Sequence, residues 1–116
     1  MGNFKDLKVW QKATDLAIKI YEITSKEPWS KDFRFKDQIR AAAISIPSNI
    51  AEGDESGTNP NSIRYFNMAL GSSAEVITQL IIAERVAFIS KEQESILEDE
   101  YEHVRAMLKN LIKSRR

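Results

Sequence analysis

Two long stretches of this chain are apolar and nearly free of charge, and a chain this short has no interior large enough for both. Between Gln38 and Ala51 the one charged residue is Arg40. Between Pro60 and Ile89 the charges are Arg64, Glu75, Glu84 and Arg85 alone. From Val76 to Ile89 the pattern is apolar almost all round: Val76, Ile77, Leu80, Ile81, Ile82, Ala83, Val86, Ala87, Phe88 and Ile89. An outer helix of a monomeric bundle needs one apolar stripe and one polar face. At 116 residues the chain makes one domain, 1–116, with one thin core. The surplus apolar surface is therefore expected to meet another copy of the chain, or a ligand. Ile44, Ile46, Gly71, Ile81 and Ile82 are the expected subunit contacts.

The spacing predicts four helices and no strand, an all-α antiparallel four-helix bundle. The first helix is expected from Leu7 to Thr24. Leu7, Trp10, Ala13, Ala17, Ile20 and Thr24 recur at intervals of three and four, and Val9, Leu16 and Ile23 widen that stripe. Asp6 is the expected N-cap. Pro28 stops this helix, Ser30 or Asp32 caps a short turn, and Trp29, Phe33 and Phe35 are expected to lid one end of the bundle. The second helix is expected from Lys36 to Glu52, ending on Gly53 in the left-handed conformation. Pro47 falls inside it, removes a backbone donor and crowds the carbonyl of Ala43, so a kink is expected, or a break into two helices. Thr58 or Asn59 is expected to cap a third helix from Pro60 to Ile89, with proline in its first turn. Gly71, mid-helix, costs roughly 1 kcal/mol against alanine and is expected to mark close backbone approach. The fourth helix is expected from Ser90 to Ser114, opened by a Ser90–Gln93 capping box. Its acids come first and its bases last, which suits the helix dipole.

Several chemistries are disfavoured. The chain has no cysteine, so disulfides and thiolate metal sites are out. Lys plus Arg and Asp plus Glu are 17 each, so the net charge is zero, unlike a domain held to nucleic acid by bulk electrostatics. No apolar run is expected to span a bilayer. The start, Met1 to Asp6, shows no signal-peptide core, and Asp6 stands where a myristoylation motif wants Ser or Thr. A cytoplasmic location is the expectation. Glu100 and His103 have the Glu-x-x-His spacing of di-iron bundles, but those sites need two such motifs and two further carboxylates. Ser45, Ser48 and Ser72 have no histidine placed to activate them. Gly71-Ser72-Ser73 lacks the lysine of a phosphate loop. No cofactor, no metal and no catalytic residue is expected.

Polar candidates remain. Asn49 and Glu52 lie one turn apart beside Pro47. They read as backbone repair by Asn49 and an ion pair of Glu52 with Arg64 or Arg40, or else as a patch for a partner. The basic end, Arg105 to Arg116, reads as dipole complement or phosphate contact.

The run Gln38-Ile39-Arg40-Ala41-Ala42-Ala43-Ile44-Ser45-Ile46-Pro47-Ser48-Asn49-Ile50-Ala51-Glu52-Gly53, with Phe4 to Ala13 before it and Ala69-Leu70-Gly71-Ser72 after it, closely resembles a bacterial family. That is the four-helix-bundle protein family, also called the large-subunit rRNA intervening-sequence protein family. The resemblance implies an up-down-up-down bundle assembling into a ring, commonly a homopentamer, with no enzymatic activity. The family also looks related in fold to the accessory protein of diversity-generating retroelements, a basic pentamer that binds a reverse transcriptase and nucleic acid. Family members often carry a second arginine after the one matching Arg40, where this chain has Ala41. The expected function is a non-catalytic oligomeric binding protein associated with ribosomal RNA, a ribonucleoprotein or a nucleic-acid-handling protein. Arg40, Asn49, Glu52, Arg64, Arg115 and Arg116 are the expected contacts. The alternative is a protein–protein scaffold without nucleic acid, and a metal-dependent enzyme is remote.

Overall fold

The computed structural model describes residues 3–116. The reading of the N-terminus at Met1 and Gly2 lies outside the described residues. Four helices follow one another: α1 (Lys8–Thr24), α2 (Phe33–Glu55), α3 (Asn59–Arg85) and α4 (Lys91–Ser114), with 3-10 turns at Phe4–Asp6 and Trp29–Lys31. No strand occurs among the described residues. α1 and α3 each pack on both α2 and α4, which closes the four helices around one core. A helix as long as α3 should measure about 40 Å at a rise of about 1.5 Å per residue. The molecule is 43 × 22 × 20 Å, so that one helix spans it end to end.

Each helix contributes a stripe at three- and four-residue spacing. The buried members include Ala13 and Ile20 of α1, Ile39, Ile46 and Ile50 of α2, Phe66, Val76 and Leu80 of α3, and Leu97, Tyr101, Val104 and Leu108 of α4. Trp29 is fully buried, and its ring meets Phe35 at 4.7 Å and Phe88 at 5.2 Å between centroids, forming the aromatic lid at one end. Phe33 does not join it: it opens α2 and is 68% exposed.

The helix boundaries show where local chemistry decided and where it did not. Thr58 caps α3 by accepting from the Asn61 amide, and Ser90 caps α4 by accepting from the Gln93 amide. Asp32 caps α2 by accepting from the Phe35 amide. Asp6 is not the cap of α1: it ends the 3-10 turn that Asn3 caps, and Leu7 opens the helix with no side-chain bond. α2 runs unbroken through Pro47, so it is not two helices.

Gly53 was expected to terminate α2, yet the helix passes through it and ends at Glu55. A Cβ on Gly53 would stand 2.5 Å from Cε1 of Phe66 and 3.1 Å from the carbonyl oxygen of Ser62. The glycine is there for room between α2 and α3, not for backbone conformation. Gly71 is the reverse case. Nothing lies within 4 Å of a Cβ built on it, so the expected close backbone approach does not occur within the protomer.

α3 ends at Arg85 rather than Ile89. The Ala87 amide bonds the Glu84 carbonyl at 3.0 Å and the Phe88 amide bonds the Ala83 carbonyl at 2.7 Å. With Ala87 at φ 65°, this is a Schellman stop whose left-handed position carries alanine in place of the usual glycine. Phe88 wins the residue its place by seating on the aromatic lid.

The expectation about bilayer length is also corrected. By length and composition α3 is long and apolar enough to cross a membrane, although much of it packs inside the bundle, including Phe66, Ala69, Val76, Leu80 and Ala83.

Candidate functional site

Part of the apolar surface left over by the bundle lies between α1 and α2. Trp10, Ala17, Ile18 and Tyr21 of α1 face Ile44, Pro47 and Ala51 of α2 across an open groove of about 440 Å³, room for several apolar side chains. Ile18 is 54% exposed and Ile44 is 42% exposed, so these two walls present side chains that the core has not taken, beside the buried Ala17 and Pro47. α2 can supply this wall because no charge falls between Ala41 and Ala51. Trp10 is fixed from outside by Phe4, edge to face at 5.4 Å.

Ala17 is buried in the core and Trp10 packs against it, as the spacing predicts, and both also line the groove; Ile18 and Tyr21 are the wall residues that sequence reasoning missed. A signal existed. Trp10, Thr14, Ala17, Ile18 and Tyr21 form a second stripe at helical spacing, rotated from Ala13, Leu16, Ile20 and Thr24. Packing on both α2 and α4 still leaves Ile18 and Tyr21 of this stripe exposed.

A second apolar surface lies at the lidded end, where Phe35, Ile82, Val86 and Phe88 line a groove of similar size between α2 and α3. Ile82 is 47% exposed, Val86 is 52% exposed, and Ile81 is half-buried against the core. Ile46 is corrected as a subunit contact: it has no exposed surface and belongs to the protomer's own core. Gly71 is exposed on α3, beside the half-buried Ser72.

The polar candidates do not converge on one site. Arg40 is turned inward along α1: its Nε donates to Thr24 Oγ1 at 2.8 Å, its Nη2 donates to the Tyr21 carbonyl and to Ser25 Oγ, and its guanidinium stacks over the Tyr21 ring at 4.2 Å. The end of α1 and the first half of α2 are thus stapled by one side chain. Asn49 donates to the Ser45 carbonyl and to Ser45 Oγ, which in turn bonds Ser72 Oγ at 2.7 Å. Both Asn49 bonds lie within α2 and neither reaches the Ala43 carbonyl beside Pro47; only the Ser45–Ser72 bond crosses to α3. Glu52 is exposed, and the guanidinium of Arg64 stacks at 4.7 Å over the neighbouring Tyr65 ring.

Arg115 is spent inside the fold. Its Nη2 pairs with Asp54 Oδ1 at 2.9 Å, its Nη1 reaches Ser62 Oγ, and it lies over the Phe66 ring. Ser62 Oγ also donates to the Gly53 carbonyl at 2.6 Å. This latch fastens the end of α4 to the α2–α3 corner. Arg105 does the same higher up, donating to the Leu70 carbonyl and to Ser73 Oγ at 2.8 Å each. Arg116 stays exposed.

Glu100 and His103 line a third groove, between α1 and α4, with Lys8, Lys12, Asp15 and Lys19. Among the described residues no cluster of three or more His, Asp or Glu is arranged to hold a metal ion. The arrangement presents apolar walls and buried staples.

Residues 5–110 match the family model described as 23S rRNA-intervening sequence protein. Among solved structures, the chain is similar to a protein of unknown function from the S23 ribosomal protein family of Bacteroides thetaiotaomicron. The TM-score is 0.84 at 24% identity, over 90% of this chain and 95% of that one. Comparison with curated proteins gives no match.

Proposed function

The chain belongs to the 23S rRNA-intervening sequence protein family, and from that premise we propose that it is a non-catalytic accessory protein working in the cytoplasm as a ring-like homo-oligomer, a homopentamer, of antiparallel up-down-up-down bundles bent at Pro47. Ribosomal RNA or a ribonucleoprotein is the partner this reading assigns to the ring. Neither the family description nor that of the structural neighbour names an enzymatic activity.

The observation that carries the self-association is the open α1–α2 groove, with Ile18 and Ile44 about half exposed and no charge on its α2 wall. A second, different apolar surface sits at Ile82 and Val86. Two unlike surfaces on one protomer suit a head-to-tail contact, which closes into a ring when the rotation permits. Sedimentation velocity at low micromolar concentration tests it. A closed oligomer is expected for the wild type and monomer for Ile44→Asp, whose side chain points away from the core. A wild-type monomer overturns the assembly.

For RNA, the exposed cations to test are Arg64 and Arg116, since Arg40 and Arg115 are engaged internally. Binding of labelled 23S rRNA fragments should weaken steeply with salt, as phosphate contacts release counterions. Binding that ignores salt, or no binding at low salt, refutes the RNA part and leaves the assembly standing. The internal engagement of Arg40 and Arg115, together with zero net charge, favours a second reading, a protein scaffold. Capture of partners that survives nuclease treatment separates it from the first.

A further inference from the structure

The groove between α1 and α4 is lined differently from the two apolar ones. Its volume is about 590 Å³, and three lysines of α1, Lys8, Lys12 and Lys19, stand along one side of it. None of the three forms an ion pair: among the described residues the pairs are Lys31–Glu27, Arg105–Glu102 and Arg115–Asp54. His103 and Met107 line the α4 side. Arg64 and Arg116, the exposed arginines, line none of the three grooves.

The charges of this groove are not spread evenly along it. Lys19 and Glu100 also line the next recess along, with Ile23 and Ile96, so they mark one end and offset each other there. Lys8, Lys12 and Met107 belong to the other end. Lys8 and Lys12 lie one turn apart on the same face of α1, a rise of about 6 Å. Asp15 follows a turn later and is the one carboxylate of the groove on α1. The end away from Glu100 therefore carries two neighbouring cations, with Asp15 as the limit of the positive stretch.

We propose that the α1–α4 groove holds the sugar-phosphate backbone of single-stranded RNA, with Lys8 and Lys12 on neighbouring phosphates. This rests on the reading of an RNA partner given above, and it moves the contact from the arginines to α1. A recess lined by cations tracks the backbone of one strand. Lysine meets phosphate as a point charge and needs no fixed geometry. Lys8 and Lys12 give up no internal ion pair to do so, whereas Arg40 and Arg115 would have to leave bonds within the fold. No aromatic side chain lines the groove, so it offers no stacking platform, and binding there should be indifferent to base sequence.

Equilibrium binding of labelled oligouridylate and of labelled single-stranded 23S rRNA fragments over a salt series tests the assignment. The wild type should bind both alike. In the double variant Lys8→Gln/Lys12→Gln the slope of log K against log salt should become shallower by about 1.4 per protomer engaged, two contacts at about 0.7 each for a single strand. Arg64→Gln/Arg116→Gln should keep the wild-type slope. Asp15→Asn removes the nearest opposing charge and should tighten binding at low salt roughly two- to fivefold, the effect of one unit charge a few ångströms away in water. A gain of that kind does not arise from damage to the fold. A wild type that binds neither probe at low salt overturns the RNA reading itself, and the groove with it. A wild type that binds, while the lysine variant keeps its slope or the arginine variant loses it, overturns the groove alone, as does tighter binding of duplex than of single strand.

Discussion

Replacing Gly53 by alanine sets two physical effects of known size against each other. Alanine in place of glycine within a helix gains about 1 kcal/mol from backbone entropy, and less near a helix end. Gly53 is two residues from the end of α2. Against that gain stands a clash: the new Cβ would lie 2.5 Å and 2.8 Å from two carbons of the Phe66 ring and 3.1 Å from the Ser62 carbonyl oxygen. Carbon atoms prefer about 3.5–4.0 Å, so the ring must retreat by about 1 Å. It has little room. Phe66 has no exposed surface, and the Arg115 guanidinium lies over it at 5.3 Å. Forcing a methyl into a filled core costs about 1–3 kcal/mol, so the clash wins and Gly53→Ala should destabilise by about 1–2 kcal/mol. Urea unfolding at fixed protein concentration measures it, with an unchanged m-value showing that stability alone moved. The decisive control is the Phe66→Leu background, where the smaller side chain vacates the contested volume. There the same substitution should be neutral or stabilising, a coupling of about 1–2 kcal/mol. A Gly53→Ala protein as stable as the wild type, or an equal cost in both backgrounds, would refute the reasoning.

Three further outcomes follow from the same structure. Ala87→Gly removes a left-handed alanine at the end of α3 and should raise stability by about 1 kcal/mol in the same assay. Arg115→Met keeps much of the packing on Phe66 but strips the partner from Asp54, whose side chain is 5% exposed. A cost of about 2 kcal/mol is expected, below the usual range for a buried pair because Arg115 itself is partly exposed, with part of it recovered by adding Asp54→Asn. Glu94 binds its proton more tightly folded than unfolded, so its contribution is complete below pH 4.5 and is lost as pH rises through about 7. That amounts to at most about 3 kcal/mol from one such carboxyl, and Glu94→Gln should flatten the stability profile over that window.

Much of the bundle was legible along the chain. Helix periodicity and capping are local, so the four helices, the Thr58 and Ser90 caps and the core stripes of α1 and α4 could be read from neighbouring residues alone. The surplus of apolar surface was legible too, because it is a matter of counting charges on α2 and α3. What the spacing could not supply was direction. Periodicity says which residues share a face, and only packing says which helix lies opposite that face. Tertiary structure alone therefore turned Ile46 inward and left Ile44 outside, and paired Trp10, Ile18 and Tyr21 with α2 in an open groove. Glycine carries the same ambiguity. Its presence signals either freedom of backbone or absence of a side chain, and at Gly53 the Phe66 ring decided for the second. The arginines were the least legible. Nothing near Arg40 or Arg115 in the chain announces a partner, because Thr24 and Asp54 are brought to them from 16 and 61 residues away. The sequence by itself determined that this protein is helical and richer in apolar surface than one small core can use. The fold decided where that surface opens and which charges remain free to meet anything else.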